Sequence, residues 1–330
     1  MTMPPRPHWQ AVALSKDLRR KPLRLLFNGA PVVLFRAGSE IKAIEDRCPH
    51  RFANLSDGRV VEGQIECPYH GWRFDGQGQC RAIPGHQGPL PRVRIRRFHV
   101  AQKDGAIFIS GDGQDHPPFT FAQSGQDVVV HRARSTTRST VLDTAENILD
   151  ATHTHFTHKG LLRGLSHKRH LVDVKVTGGA DWVQADYTGE PAQEGLVSKL
   201  LDGLRVRTVG RFRAGGIVEL EYWGPRGLVL ATTFHLRQAT TDTVEGIAWL
   251  VGPRQKGWGH IKGLAFKPLF NIALWQDKRI LAATFDNASL QPRQSPVIGP
   301  LDFLRRDIAR ILEGKTPNAA QKPQAFQIML

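Results

Sequence analysis

From Trp9 to Ile109 the apolar residues fall in short alternating or unbroken runs separated by Gly, Asp and other turn formers. Leu23–Phe27, Pro31–Arg36, Ile41–Ile44, Val60–Glu66, Val93–Val100 and Ala106–Ser110 therefore predict short strands. The polar run Gly111-Asp112-Gly113-Gln114-Asp115-His116-Pro117-Pro118 predicts a connector, dividing the chain into residues 1–116 and 117–330. Beyond it, strand signals recur at Val128–Arg134, Leu171–Val176, Trp182–Thr188, Arg205–Phe212, Ile217–Trp223, Leu228–Leu236 and Thr243–Val251, enough for one sizeable antiparallel sheet. Helices are expected at Thr140–Thr154, Gly263–Asp286 and Leu301–Leu312. In the last, Leu301, Leu304, Ile308 and Ile311 form an apolar stripe opposite Arg305, Arg306 and Arg310, which suits core packing. The pattern is that of an α+β protein whose first domain is all-β.

A chain of 330 residues with 40% hydrophobic content can fill two cored domains. Met1–Arg20 has scattered charge and prolines but no unbroken apolar stretch, so it does not read as a secretory signal. The richest apolar window, Leu264–Trp275, is broken by Lys267 and Pro268, and no membrane span is expected. The formal charge of +15 is spread along the chain without a block of five like charges, and no nucleic-acid-binding module is present, so no nucleic-acid partner is expected. In Arg92-Val93-Arg94-Ile95-Arg96-Arg97 arginines alternate with apolar residues as on a half-buried strand. A solvated face explains this, and charge steering of an acidic electron-donor protein is the competing use.

Candidate chemistry begins with Cys48-Pro49-His50-Arg51 and Cys67-Pro68-Tyr69-His70-Gly71-Trp72, with sixteen residues between His50 and Cys67. Each cysteine has its own histidine beside it. Such mixed pairs suit a [2Fe-2S] cluster with one iron on Cys48 and Cys67 and the other on His50 and His70; neutral imidazoles reduce the negative charge and raise the potential. A structural zinc site is the alternative, but zinc fingers set cysteine pairs and histidine pairs apart. Cys80 is the third and last cysteine, expected to pack as a small apolar residue. With two of three cysteines used as ligands no disulfide is left, which suits a reducing, cytoplasmic setting.

A second polar cluster lies at 141–158. Read as a helix, Glu146, Asn147, Asp150, His153 and Thr154 share one side. His153 and His158 are five apart, about 140° out of line on a regular helix, so both reach one metal only if the helix unwinds between them. Thr154 and Thr157 make that unwinding plausible. A mononuclear oxygen-activating iron needs two histidines and a carboxylate, leaving positions open. The carboxylate is sought among Asp277, Asp286, Asp302 and Asp307. Asp277 has the helical neighbours Ala273, Leu274, Ile280, Leu281 and Thr284, where burial without a counter-charge is expensive. Asp286 suits a helix end, and Asp302 and Asp307 have arginines nearby. Asp277 is the choice.

With both clusters in view, the chain resembles the Rieske non-haem iron oxygenase alpha subunits. Asn147-x2-Asp150-x2-His153-x4-His158 looks like their iron motif, and Trp275-Gln276-Asp277 looks like the segment giving the third ligand. The segment from Cys48 to Gly58 looks most like the vanillate O-demethylase and dicamba monooxygenase branch, whose members are homotrimers without a beta subunit. The resemblance implies a helix-grip (Bet v 1/START-like) catalytic domain. It also implies one [2Fe-2S] cluster and one Fe(2+) per chain, with NAD(P)H used indirectly through a separate reductase or ferredoxin. O2 and an organic substrate, aromatic or polycyclic, are the expected reactants, and hydroxylation or oxidative demethylation the expected outcome. Asp150 resembles the carboxylate that bridges His153 to His70 of the next subunit, and Asn147 a residue that steadies the iron helix. His155 falls between the ligands and reads as a packing residue. Two other functions compete: a Rieske electron carrier, which leaves the second half without purpose, and a binding protein, since the helix-grip fold also serves binding modules.

Overall fold

The computed structural model describes residues 9–113, 116–161, 169–190, 205–254 and 258–330, with side chains of the last stretch described from 267. The described chain separates into two compact units, one reaching Phe119 and one running from Thr120 to Leu330.

The first unit is all-β. A six-stranded antiparallel sheet has the order β1 (Gln10–Leu14), β10 (Ala106–Ser110), β9 (Arg97–Lys103), β4 (Glu40–Glu45), β3 (Ala30–Ala37) and β2 (Leu23–Phe27). The four-residue apolar run in β3 is buried on both faces. Val32 and Leu34 enter one core with Leu25, Phe27 and Ile107, while Val33 and Phe35 enter another with Ile44, Leu55, Ile65 and Phe74. Each fully buried residue of this size contributes about 2 kcal/mol of apolar burial. The second core also holds Cys48, Cys67 and Cys80, so the candidate cluster ligands sit on its rim, and Cys80 packs there as expected.

Over that core lies a four-stranded sheet, β5 (Arg59–Val61), β6 (Gln64–Glu66), β7 (Arg73–Phe74) and β8 (Cys80–Ala82). The expected strand Val60–Glu66 is a hairpin instead. Glu62 and Gly63 both have positive φ, at 53° and 76°, the turn that matches strand twist in a two-residue hairpin. The expected strand Val93–Val100 begins only at Arg97, because the backbone at Ile95 leaves the ladder to meet Gly78. Gly78 accepts a bond from Ile95 N, and a Cβ on it would lie 2.1 Å from the Ile95 oxygen. The alternation itself is real: Ile95 and Phe98 are buried, while Arg92, Arg94, Arg96 and Arg97 are exposed. The connector is fastened to this unit, with Trp9 Nε1 donating to the His116 carbonyl and Lys103 Nζ to that of Pro118.

The second unit is built on an eight-stranded antiparallel sheet. Its order is β11 (Val128–Arg138), β17 (Thr243–Pro253), β16 (Gly227–Gln238), β15 (Ile217–Gly224), β14 (Arg207–Arg213), β13 (Trp182–Thr188), β12 (Leu171–Gly178) and β18 (Gln324–Met329). All seven strands expected here form within a few residues of their predicted limits. The edge strand β18 is an addition, paired with β12 from Leu171 opposite Met329 to Val176 opposite Gln324. Helices α1 (Val141–Leu149), α2 (Trp258–Leu290) and α3 (Arg305–Leu312) supply apolar residues to the core of this sheet.

Two helices are shorter than expected, and α2 extends beyond the expected Gly263–Asp286 at both ends. The helix predicted over Thr140–Thr154 stops at Leu149, and the one predicted from Leu301 starts at Arg305. Before α3, Asp302 Oδ2 accepts from Gly299 N at 2.6 Å, holding a turn that leaves Leu301 42% exposed while Leu304, Ile308 and Ile311 are buried. Asp307 does not pair with an arginine; its carboxylate is buried and accepts from the backbone N–H of Asn318 and Ala319. Arg305 instead pairs with Asp143 and Glu146, tying α3 to α1. The described residues form no helix long and apolar enough to cross a membrane.

Candidate functional site

In the first unit, two similar loops present the four Cys and His side chains. Cys48 O accepts from Phe52 N at 2.8 Å, and Cys67 O accepts from Gly71 N at 3.0 Å. Cys48 N donates to Ala53 O and Cys67 N to Trp72 O, closing both loops. The buried Asp46 carboxylate braces the first loop by accepting from Ser56 N and Ser56 Oγ, each at 2.7 Å. Gly58 ends the brace, since a Cβ there would lie 1.9 Å from the Glu66 oxygen.

The two cysteines are buried and the two histidines exposed. The His50 and His70 rings stand 4.6 Å apart, with Trp72 stacked on His50 at 4.8 Å. Burial pushes the Cys48 thiol up to about 11, as does the neighbouring Cys67, while the backbone N–H groups of His50 and Arg51 pull it down. Two buried thiols side by side resist ionising together; a cationic iron pair removes that conflict, and the inward N–H groups then stabilise the bound sulfur. The donor set therefore fits a cluster with a buried Cys-bound iron and an outward His-bound iron.

The second site starts where α1 ends. Thr140 caps its start, accepting from Asp143 N at 3.1 Å. Asp150 leaves the helix with extended geometry, φ −72° and ψ 118°. Its carboxylate caps the next turn: Oδ1 accepts from Thr152 N and Thr152 Oγ1, and Oδ2 from His153 N. A short 3-10 turn, His153–His155, follows, and both Phe156 N and Thr157 N donate to the His153 carbonyl. The expected unwinding thus occurs earlier than foreseen, because Asp and Thr side chains offer the backbone a local alternative to the helix. It brings the rings of His153 and His158 within 5.0 Å.

Asp277, on α2, completes the group. Ligand atoms of His153, His158 and Asp277 all lie within 4.8 Å of one another. Asp277 Oδ1 is 3.0 Å from His158 Nε2 and 3.5 Å from His153 Nε2. These short distances lack hydrogen-bond alignment, so Asp277 Oδ1 and both ring nitrogens of His153 are buried without a hydrogen-bond partner. Lone pairs that converge without facing one another suit a shared cation, and two His with one carboxylate fit Fe(2+). Burial lowers the His153 pKa, but Asp150 and Asp277 outweigh it and raise it to about 9. Burial also pushes both carboxyls up, yet the nearby His153 imidazole, with Thr152 at Asp150 and His158 at Asp277, leaves each below its ordinary value.

His155 is outside the ligand group. Asp286 is not at a helix end, since α2 runs on to Leu290; it pairs with Arg138 at 2.9 Å. Asn147 faces the site from α1, with a buried Oδ1 that has no hydrogen-bond partner. Gln276 is an unforeseen contributor: its Oε1 lies 2.8 Å from His158 Nδ1. Its place just before Asp277 in a largely apolar stretch was the available signal.

A cavity of about 150 Å³ opens against the three ligands, with apolar walls that include Leu220, Leu230, Phe234, Leu269 and Phe270. Its polar residues include Tyr222, over whose ring the Arg205 guanidinium lies at 4.6 Å. Asp150 lines this cavity and also a wider groove of about 1090 Å³ beside α1 and α2.

Comparison with known proteins matches residues 8–99 to the Rieske [2Fe-2S] domain. The oxygenase component of dicamba O-demethylase from Stenotrophomonas maltophilia is 43% identical over 103 residues, 31% of this chain and 30% of that protein. Methylxanthine N1-demethylase NdmA from Pseudomonas putida is 31% identical over 166 residues, 47% of each chain. These matches span less than half of the relatives' length. In fold the likeness covers nearly the whole chain. Dicamba monooxygenase bound to 3,6-dichlorosalicylic acid superposes with a TM-score of 0.79 at 21% identity, over 93% of this chain and 96% of that one. NdmA with caffeine gives 0.74 at 19% identity, over 92% and 88%. Residues 8–99 are thus a Rieske [2Fe-2S] domain, and the chain as a whole, with its antiparallel-sheet second unit, shares the fold of dicamba monooxygenase.

Proposed function

We propose that this chain is the terminal oxygenase component of a Rieske-type system. It receives electrons from NAD(P)H through a separate reductase or ferredoxin, and uses O2 at a mononuclear Fe(II) to hydroxylate or oxidatively demethylate an aromatic or polycyclic substrate. The division is residues 1–116 for the cluster and 117–330 for the chemistry. The observation that carries the reading is the buried convergence of His153, His158 and Asp277 beside an apolar cavity, in a chain that also bears a Rieske domain. Two relatives named as demethylases favour demethylation of an aromatic or heteroaromatic compound within that range.

When bound, the cluster supplies single electrons and the Fe(II) supplies O2 activation. Cys48, Cys67, His50 and His70 hold the cluster, and the exposed histidines turn its accessible side toward partners. His153, His158 and Asp277 hold the Fe(II) through three ligands and leave positions free. Leu220, Phe234 and Phe270 exclude water and take the apolar body of the substrate. Asp150 orients His153 and borders the outer groove, so in a homotrimer its carboxylate can also accept from the partner subunit's His70. Asn147 steadies the turn between α1 and the histidines. The unpaired cysteines suit a cytoplasmic setting.

The test is iron and sulfide counting joined to turnover. The reading expects three Fe per chain, two with acid-labile sulfide, and product formation that requires a reductase, NAD(P)H and O2. Two Fe per chain and no O2-dependent product with any aromatic ether or N-methyl compound would leave an electron carrier or a binding protein.

A further inference from the structure

The two histidines of the candidate iron site are backed differently. His153 Nδ1 stands 3.5 Å from the Asp150 carboxylate, whereas His158 Nδ1 meets the neutral amide of Gln276 at 2.8 Å. His158 is only 2% exposed, so water cannot replace that amide. Gln276 and Asp277 are adjacent on α2, and one imidazole is held between them: Gln276 on Nδ1, Asp277 on Nε2.

We propose that Gln276 is the positioning residue for His158: its Oε1 accepts the Nδ1–H, fixing the tautomer that leaves the Nε2 lone pair to a divalent cation. This rests on the reading of His153, His158 and Asp277 as an Fe(II) site. Proton placement on the ring decides whether it can ligate. A neutral imidazole has one N–H, and a metal ligand must carry it on the nitrogen away from the metal. With Oε1 toward the ring, the proton stays on Nδ1. With the amide turned round, its N–H would donate to Nδ1, the ring proton would move to Nε2, and ligation would be blocked. A neutral acceptor does this without adding a third negative charge beside Asp150 and Asp277.

The test is anaerobic equilibrium dialysis of Fe(II) against the full chain with its cluster in place, comparing wild type with Gln276→Met and Gln276→Glu. Met keeps the length and apolar packing but has only a weak sulfur acceptor; Glu keeps a strong oxygen acceptor. Unchanged visible absorption of the cluster and an unchanged thermal midpoint report on folding. Loss of such a partner to a ligating histidine weakens metal binding about 10–100-fold, which is the expectation for Gln276→Met. Gln276→Glu should recover wild-type affinity, and the EPR signal of Co(II) bound in place of Fe(II) should change in Gln276→Met and return in Gln276→Glu. Should Gln276→Met not fold, Gln276→Asn, one methylene too short, takes its place with the same expectation. Wild-type Fe(II) affinity in the Met or Asn variant, or equal weakening in the Glu variant, overturns the proposal. A wild-type chain that binds no Fe(II) beyond its cluster would instead overturn the iron-site reading itself.

Discussion

Phe52 and Gly71 occupy equivalent places in the two cluster loops: each stands four residues after a cysteine, donates its N–H to that cysteine's carbonyl, and has positive φ, 60° and 71°. A left-handed conformation costs a residue with a Cβ about 1–2 kcal/mol relative to glycine. Phe52 is 67% exposed and sits under the Arg47 guanidinium at 5.0 Å, a contact that offsets about 0.5 kcal/mol. Phe52→Gly should therefore leave stability unchanged or raise it slightly. Gly71→Ala should destabilise, since its Cβ would also lie 2.7 Å from Pro84 Cγ. Thermal midpoints of the two variants, with cluster content, check the contrast; equal effects would show that the loops are not equivalent.

Each loop gives one ligand to each iron, so removing a thiolate or an imidazole leaves one iron a ligand short and opens the bridged pair to loss. Cys48→Ser and His70→Ala should abolish the visible Rieske absorption while the chain stays folded enough to purify. A retained red-brown colour with unchanged iron would contradict the ligand assignment.

Asp277→Ala should lose about one Fe per chain and all product formation while keeping the cluster spectrum, because two histidines alone hold Fe(II) poorly. Asp286→Ala is the control, removing only a half-exposed ion pair to Arg138. The opposite result, iron lost with Asp286 and kept without Asp277, would move the third ligand.

Protons compete with metal at His153. Its folded pKa lies above the ordinary 6.5, at about 9. In the metal-free chain this protonation adds stability that is fully present below pH 6.5 and lost as pH rises through 9. Fe(II) needs the neutral ring, so binding near neutral pH should release a proton from His153, and affinity should rise about tenfold per pH unit up to about 9. Anaerobic titrations across that range measure the slope, and a flat profile would show the ring already neutral.

Asp150→Asn should leave both metal sites substantially occupied yet stop turnover, with the cluster reduced normally and not reoxidised when substrate and O2 are added. The structure adds a local effect. Both carboxylate oxygens face donors, Thr152 on one side and His153 on the other, so the new NH2 meets an N–H or O–H and destabilises the turn by about 1–2 kcal/mol. Stopped-flow reoxidation at the wild-type rate would refute a bridging role.

The sequence by itself determined most of the sheet and which Cys, His and Asp side chains were candidates for metal binding. Alternation in Trp182–Thr188 and the paired Cys-His spacing are local signals, written in adjacent residues, and local sterics decide them. It did not reveal where α1 stops, because Asp150 competes with the helix through bonds that depend on the exact turn taken at Thr152 and His153. Nor did it show the hairpin at Glu62-Gly63, where β5 and β6 pair within what reads as the single strand Val60–Glu66. Tertiary structure alone decided that α2 brings Gln276 and Asp277 to the two nitrogens of His158, since no periodicity in either segment encodes the packing of one helix against a distant turn.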